Sequence, residues 1–214
     1  PAGAVDGRAS RQVYLGLAQV STPDFDRCLR LFTEQGADIA VVPGDCSARA
    51  REASRNFPGV LVIGDENRAW AFKGGELLAA QGLVHGGEET GFKLIETPVG
   101  RLGLLAGRDG LFPEAARQLA LLGADLIVWT TGEKRFHASL YPTRAAENRV
   151  FFASCAGPPG PTAVYNPDGA LLAAAFPGEE QVILARLDLP LAGYKELVPG
   201  TDVTRDRTPE LYVP

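Results

Sequence analysis

Apolar residues fall mostly in short runs closed by Gly, Pro, Asn or Asp, and only a few stretches carry the wider spacing of a helix. Val13–Val20 (VYLGLAQV) has the look of a buried strand. Thr22-Pro23-Asp24 then offers an N-cap, a proline at the first helical position and an acid in the first turn. Phe25, Cys28, Leu29 and Phe32 follow on one helical face, and Gly36 is placed to stop that helix. With Ile39–Val42 as the next strand, ending at Pro43-Gly44-Asp45-Cys46, the chain opens as β-α-β.

The pattern continues with a short helix in Ser47–Arg55 and a strand at Val60–Ile63. Trp70–Phe72 and Glu76–Ala80 form a hairpin across Lys73-Gly74-Gly75, and Gln81–Gly91 reads as loop. Strands Phe92–Glu96 and Leu102–Ala106 are joined by the turn Thr97-Pro98-Val99-Gly100. A polar elbow, Gly107-Arg108-Asp109, leads to a helix over Pro113–Leu122 that Gly123 ends, followed by strand Leu126–Trp129. A polar loop with Lys134, Arg135 and His137 precedes a helical stretch around Arg144–Arg149. Strands are then predicted at Phe151–Cys155, Ala163–Tyr165, Ala170–Ala174 and Val182–Leu187, with an irregular tail over 190–214. Hairpins mixed among β-α-β units imply an α/β fold of two packed sheets with helices outside. Residues 1–10 read as a loose arm, and 11–214 as one domain that includes the tail.

Composition narrows the partners. The chain has 214 residues, 45% hydrophobic content and a formal net charge of −5, which argues against nucleic acid or an anionic membrane surface. No apolar run approaches the roughly 20 residues of a membrane span. Three scattered cysteines, Cys28, Cys46 and Cys155, suit a reducing compartment and make cytoplasmic residence the expectation. With His85 and His137 they have no spacing that would hold a structural zinc, so neither metal nor cofactor is expected. No G-x-S-x-G elbow, H-E-x-x-H, P-loop or G-x-G-x-x-G is present.

An ordered set of segments carries a resemblance: YLGLAQV, GADIAVVPG, ETPVGRLGLL, RDGLFPEAARQLALLGADLIVW, RAAENRVFFASC, AVYNPDGALLA and RDRTPELY. In that order the chain resembles the nitrilase, or carbon–nitrogen hydrolase, superfamily. The resemblance implies an α-β-β-α sandwich that dimerises, with the helix after the elbow and the Arg205–Tyr212 tail as assembly surfaces. It also implies a Glu–Lys–Cys triad for amide or nitrile hydrolysis: a thiolate nucleophile, a carboxylate acid–base and an ammonium facing the oxyanion. The three positions that match those roles hold Gly44, Leu83 and Gly107. None has a reacting group, and losing even one member of such a set can cost about six orders of magnitude in turnover. Leu83 in place of a lysine also removes a cation that would lack its carboxylate, a penalty of about 3–5 kcal/mol. The space left by the two glycines is open to collapse, water or a ligand.

The remaining candidates have a structural and a functional reading each. Gly107 serves a tight strand end or a close approach to a ligand. Asp109 braces the elbow. Arg108 is solvated or holds a carboxylate. His85 is a hydrogen-bonded structural residue or a lone base. Cys46, two residues past the vacated Glu position, is an inert thiol or a displaced nucleophile, although Asp45 beside it disfavours the thiolate. Glu88 and Glu89 fall near an accessory Glu of the family, while Arg144, Glu147 and Asn148 read as a bracing cluster and Cys155 as core. Together these residues predict a catalytically inactive nitrilase-fold homodimer that binds, scaffolds or regulates, with a small carboxylate or amide as the candidate ligand. The alternative is an amide hydrolase with an altered, non-triad site.

Overall fold

The computed structural model describes residues 12–21, 24–45, 48–132 and 139–212. The first half runs β1 (Gln12–Gln19), α1 (Phe25–Glu34), β2 (Ile39–Pro43), α2 (Ala48–Ala53), β3 (Val60–Gly64), β4 (Arg68–Lys73) and β5 (Glu76–Gly82). The second half repeats the plan with β6 (Leu94–Thr97), β7 (Gly100–Ala106), α3 (Pro113–Leu122), β8 (Leu126–Thr130), α4 (Leu140–Asn148), β9 (Phe151–Cys155), β10 (Ala163–Tyr165) and β11 (Leu171–Ala174). β12 (Gln181–Asp188) returns to the first sheet, and β13 (Glu196–Val198) with β14 (Thr201–Asp202) forms a small hairpin in the tail.

The strands form two six-stranded mixed sheets, ordered β12-β1-β2-β3-β4-β5 and β11-β10-β9-β8-β7-β6. Each has three parallel strands at its centre, β1-β2-β3 and β7-β8-β9, flanked by antiparallel neighbours. Alternation along the strands divides the core in layers. Leu15, Leu17, Ile39 and Val41 face Leu104, Leu126, Val128 and Phe151 between the sheets. The opposite faces pack under α1 and α2 on one side and α3 and α4 on the other, giving the α-β-β-α sandwich.

Local chemistry accounts for the helix ends. Pro113 opens α3, and Gly123 closes it in the left-handed region with φ 100°. At α1 the expectation shifts. Asp24, not Thr22, is the N-cap, since its carboxylate accepts from the Arg27 amide at 3.1 Å; Thr22 and Pro23 lie outside the described residues. The apolar face Phe25, Cys28, Leu29 and Phe32 is buried as its spacing predicts. Phe32 lies so close to β1 that a β-carbon on Gly16 would stand 2.3 Å from its ring.

Several boundaries and one segment differ from the sequence reading; α4, for example, starts at Leu140, ahead of the stretch expected around Arg144–Arg149. The strand expected at Phe92–Glu96 is Leu94–Thr97, because Phe92 packs instead under the α3–α4 layer. β5 runs on to Gly82, into the stretch read as loop. The tail is not irregular: the β13–β14 hairpin is closed by a bond from the Val203 amide to the Lys195 carbonyl, and Arg117 of α3 holds it by donating to the Val203 carbonyl at 3.1 Å. The arm over 1–10 and the loop residues Lys134, Arg135 and His137 fall outside the described residues.

Candidate functional site

The elbow forms where β7 ends. Gly107 takes φ +44°, and Gly107–Leu111 makes one turn of 3-10 helix before Pro113 starts α3. The Trp129 indole N–H donates to the Gly107 carbonyl at 2.6 Å and fixes the turn to β8. Asp109 is fully buried and accepts from the Val84 amide (2.8 Å), the His85 amide (2.9 Å) and His85 Nδ1 (2.9 Å). A carboxylate facing Nδ1 favours an N–H on that nitrogen and fixes the orientation of the ring. The His85 ring stacks on Phe112, centroids 4.0 Å apart and 5° from parallel.

Arg108 completes this arrangement. Its Nε donates to the His85 carbonyl at 2.8 Å and its Nη2 to the Gly86 carbonyl at 2.6 Å. The side chain is exposed, and through these two donors it clamps the loop after β5. Arg108, Asp109 and His85 thus act on one another, as the bracing reading of Asp109 anticipates. Arg144, Glu147 and Asn148 also cluster: Arg144 donates to Glu147 (2.9 Å) and to the Leu111 carbonyl (2.9 Å), tying α4 to the elbow. Asn148 donates to the Arg144 carbonyl at 2.9 Å. Glu89 is held locally, by Lys93 at 3.3 Å and by its own amide on the Leu83 carbonyl. Cys155 is buried with its thiol on the Ala18 carbonyl at 3.3 Å, and burial pushes its pKa far up, so it is core. Cys46 lies outside the described residues.

Gly44, Leu83 and Gly107 come to the same end of the two sheets. Gly44 donates its amide to the Gly64 carbonyl at 2.9 Å. Gly64 in turn abuts Thr130 of the other sheet, where a β-carbon would stand 2.1 Å from Thr130 Oγ1, and Thr130 is the register partner of Ala106. Leu83 packs against the inter-sheet core, and its neighbour Val84 is bonded to Asp109. Two of these positions have backbones that side chains rarely adopt, φ 145° at Gly44 and +44° at Gly107.

What occupies the space above Gly107 was not visible in the sequence. Asp65 Oδ1 accepts from the amides of Asn67 (2.7 Å) and Arg68 (2.9 Å), folding Asp65–Arg68 into a tight turn between β3 and β4. That turn lays Glu66 on the elbow. A β-carbon on Gly107 would stand 1.8 Å from the Glu66 carbonyl oxygen and 2.7 Å from its carbon. The Glu66 side chain lies along Gly132, whose own β-carbon would meet Oε2 at 3.1 Å. Among the described residues no group of three His, Cys, Asp or Glu could hold a metal ion.

The carbon–nitrogen hydrolase family model matches residues 66–194, well over half of the chain and spanning the elbow. The chain belongs to the carbon–nitrogen hydrolase family. It is 31% identical over 133 residues to a nitrilase of Pyrococcus abyssi, a match covering 58% of this chain and 51% of that one. It is 31% identical over 159 residues to the N-carbamoylputrescine amidase of Solanum tuberosum, covering 58% and 50%. The chain thus spans about half the length of the curated relatives it matches. The fold is that of a carbon–nitrogen hydrolase from Helicobacter pylori, with TM-score 0.78, 18% identity and 94% of this chain and 97% of that one covered. An amidase from Nesterenkonia sp. gives TM-score 0.75 at 21% identity, covering 93% and 98%. In this chain the matched span includes the elbow, which holds Gly107, Arg108 and Asp109.

Proposed function

We propose that this carbon–nitrogen hydrolase-fold chain is catalytically inactive and serves a binding, scaffolding or regulatory role. The observation that carries this reading is the contact of the Glu66 backbone with Gly107. The nucleophile position has no reacting group, and main chain, which cannot swing aside as a rotamer would, stands where one would project. Gly44 and Leu83 leave the acid–base and oxyanion roles without a carboxylate or a cation. The elbow residues with charge, Arg108 and Asp109, serve the fold instead of facing a substrate. Assembly as a homodimer fits the exposed apolar residues Leu121 and Leu122 at the end of α3 and Leu211 and Tyr212 in the tail.

Trapping tests the reading. The protein is incubated with small amides, nitriles and carbamoylated amines, then quenched for intact mass. The expected spectrum holds unmodified protein only; an acyl adduct on any residue of the elbow overturns the proposal. A thermal-shift panel of the same amides and of small carboxylates, repeated with Arg108→Ala, reports whether the role is ligand binding or assembly.

One observation favours a second reading, a hydrolase with an altered site. His85 is oriented by Asp109 as a general base would be, and its side chain is 27% exposed. With Cys46 as the displaced nucleophile, this reading requires rapid labelling of Cys46 by iodoacetamide and loss of turnover in both Cys46→Ser and His85→Gln. Labelling at the rate of the unfolded chain disposes of it.

A further inference from the structure

The tail after Ala192 is built as a unit of its own. Ala192 is buried in the inter-sheet core, and from Gly193 to Tyr212 no residue is buried. Gly193 has no atom within 4 Å of the place a β-carbon would take, so nothing packs on the joint between the two. Beyond it the segment is bonded to itself. The Val203 amide donates to the Lys195 carbonyl at 3.0 Å and the Gly200 amide to Glu196 at 2.7 Å. Asp202 Oδ1 accepts from the amides of Thr204 and Arg205, each at 2.8 Å, and the Tyr194 hydroxyl donates to Glu196 at 2.7 Å. The large apolar side chains of the segment, Leu197, Val198, Leu211 and Tyr212, are exposed. Such a segment lacks the apolar burial that would couple it to global unfolding.

The ties to the helix layer run through three cations. Lys195 Nζ donates to two carbonyls at the C-terminal end of α4, Arg149 at 2.8 Å and Asn148 at 3.2 Å, an arrangement that suits an ammonium. Arg149 caps the same helix in an αL conformation, φ 51°, and donates from Nε to the Tyr194 carbonyl at 3.2 Å. Arg117 of α3 donates to the Val203 carbonyl at 3.1 Å and to the Glu147 carbonyl of α4 at 2.6 Å. Each tie works against a cost. Burial, with Arg101, Arg149 and Arg117 nearby and against the pull of Asp125, brings the Lys195 pKa down to about 8. Burial lowers the Arg117 pKa as well. Arg149 keeps a backbone conformation that residues with a side chain seldom adopt. Directional bonds set against desolvation and strain leave a shallow hold.

We propose that Gly193–Tyr212 is a strap that opens as one unit about Gly193 while the sheets and the helix layers stay folded. Closed, it covers the C-terminal end of α4 and the Arg117 side of α3. Open, it leaves the Asn148 and Arg149 carbonyls to water and takes the Tyr194 and Val203 carbonyls away from Arg149 and Arg117. A released two-stranded hairpin with no buried face is marginal in water, so its own bonds are lost with the ties. The elbow does not depend on the strap. Arg144 joins α4 to the Leu111 carbonyl, and Asp109 holds the Val84 and His85 amides, in both states.

Native-state hydrogen exchange tests this on the intact chain, read by peptide mass spectrometry in rising urea below the unfolding transition. Peptides from 194–212 are expected to exchange about a hundredfold or more faster than those of β7 and β8, at a rate nearly independent of urea. Exchange at the core rate with the core's urea dependence overturns the strap, since the tail would then open only by global unfolding. Exchange at the rate of an unstructured peptide also overturns it, since no closed state would exist. The peptide that holds the Val84 and His85 amides is expected to follow the core; exchange in step with the tail overturns the claim that the body stays folded. Arg117→Met is expected to speed the whole tail several-fold more than β7 and β8. An equal effect on tail and core, or an effect on only part of the tail, overturns the strap as a unit tied to α3.

Discussion

The Glu66 carbonyl oxygen stands 1.8 Å from where a β-carbon on Gly107 would be. No side-chain rotation relieves that contact, because the oxygen belongs to main chain and the turn that carries it is fixed by Asp65. Gly107 also sits at φ +44°, which itself disfavours any other residue by about 1–2 kcal/mol. Gly107→Ala and Gly107→Cys are therefore both expected to lose at least about 3 kcal/mol in urea unfolding. The cysteine variant, alone or with Gly44→Glu and Leu83→Lys, is expected to gain no amidase activity. A Gly107→Cys protein as stable as the wild type would show that the turn yields freely.

Asp109 offers a sharper contrast between two substitutions. Asp109→Ala leaves the amides of Val84 and His85 without their acceptor and is expected to cost about 2–4 kcal/mol. Asp109→Asn keeps one acceptor oxygen but turns an N–H₂ toward a donor, and about 1–2 kcal/mol is expected. Equal and small losses, within about 0.5 kcal/mol of wild type, would mean that the carboxylate does not brace the elbow.

Gly16 and Phe32 form a second steric pair, away from the site. Gly16→Ala drives a methyl group into the Phe32 ring and is expected to cost about 1–3 kcal/mol. Combining it with Phe32→Leu is expected to cost clearly less than the two single losses together, since the smaller side chain makes room. Simple additivity in a double-mutant cycle would contradict the packing.

The pH dependence follows from Lys195, with its sign set by linkage. Its folded value of about 8 lies below the ordinary lysine value. Between pH 8 and about 10.4 the unfolded chain therefore binds more protons than the folded one, and stability from this group rises with pH. Below pH 8 the buried ammonium is a constant cost. Wild type is expected to gain about 1–2 kcal/mol on Lys195→Met between pH 7.5 and 10, read by urea unfolding at both. A flat difference, or one of opposite sign, would contradict the depressed value.

Features set by neighbouring residues were legible in the chain. Pro113 and Gly123 bound α3 because a missing N–H and a left-handed φ are properties of single residues. The face Phe25–Phe32 declares itself by spacing, although Asp24 proved the better cap. The two-sheet sandwich follows from counting strands and helices together with the family's ordered segments. The candidate site was legible only through the family resemblance, which aligns Gly44, Leu83 and Gly107 with the three triad roles. What fills the gap was not, because Glu66 acts through its carbonyl, which every residue type possesses. The contacts of Arg108 were not legible for a related reason: its acceptors are the His85 and Gly86 carbonyls, more than twenty positions away. Lys195 gave no signal either, since the arginines around it come from β7, α3 and α4.

The most direct measurement is ammonia release by the purified chain over a panel of primary amides, carbamoylated amines and nitriles. Rates indistinguishable from a no-protein blank are expected for every compound. Turnover near 1 s⁻¹, the low end of ordinary enzymes, that disappears in His85→Gln or Cys46→Ser would contradict a vacated site.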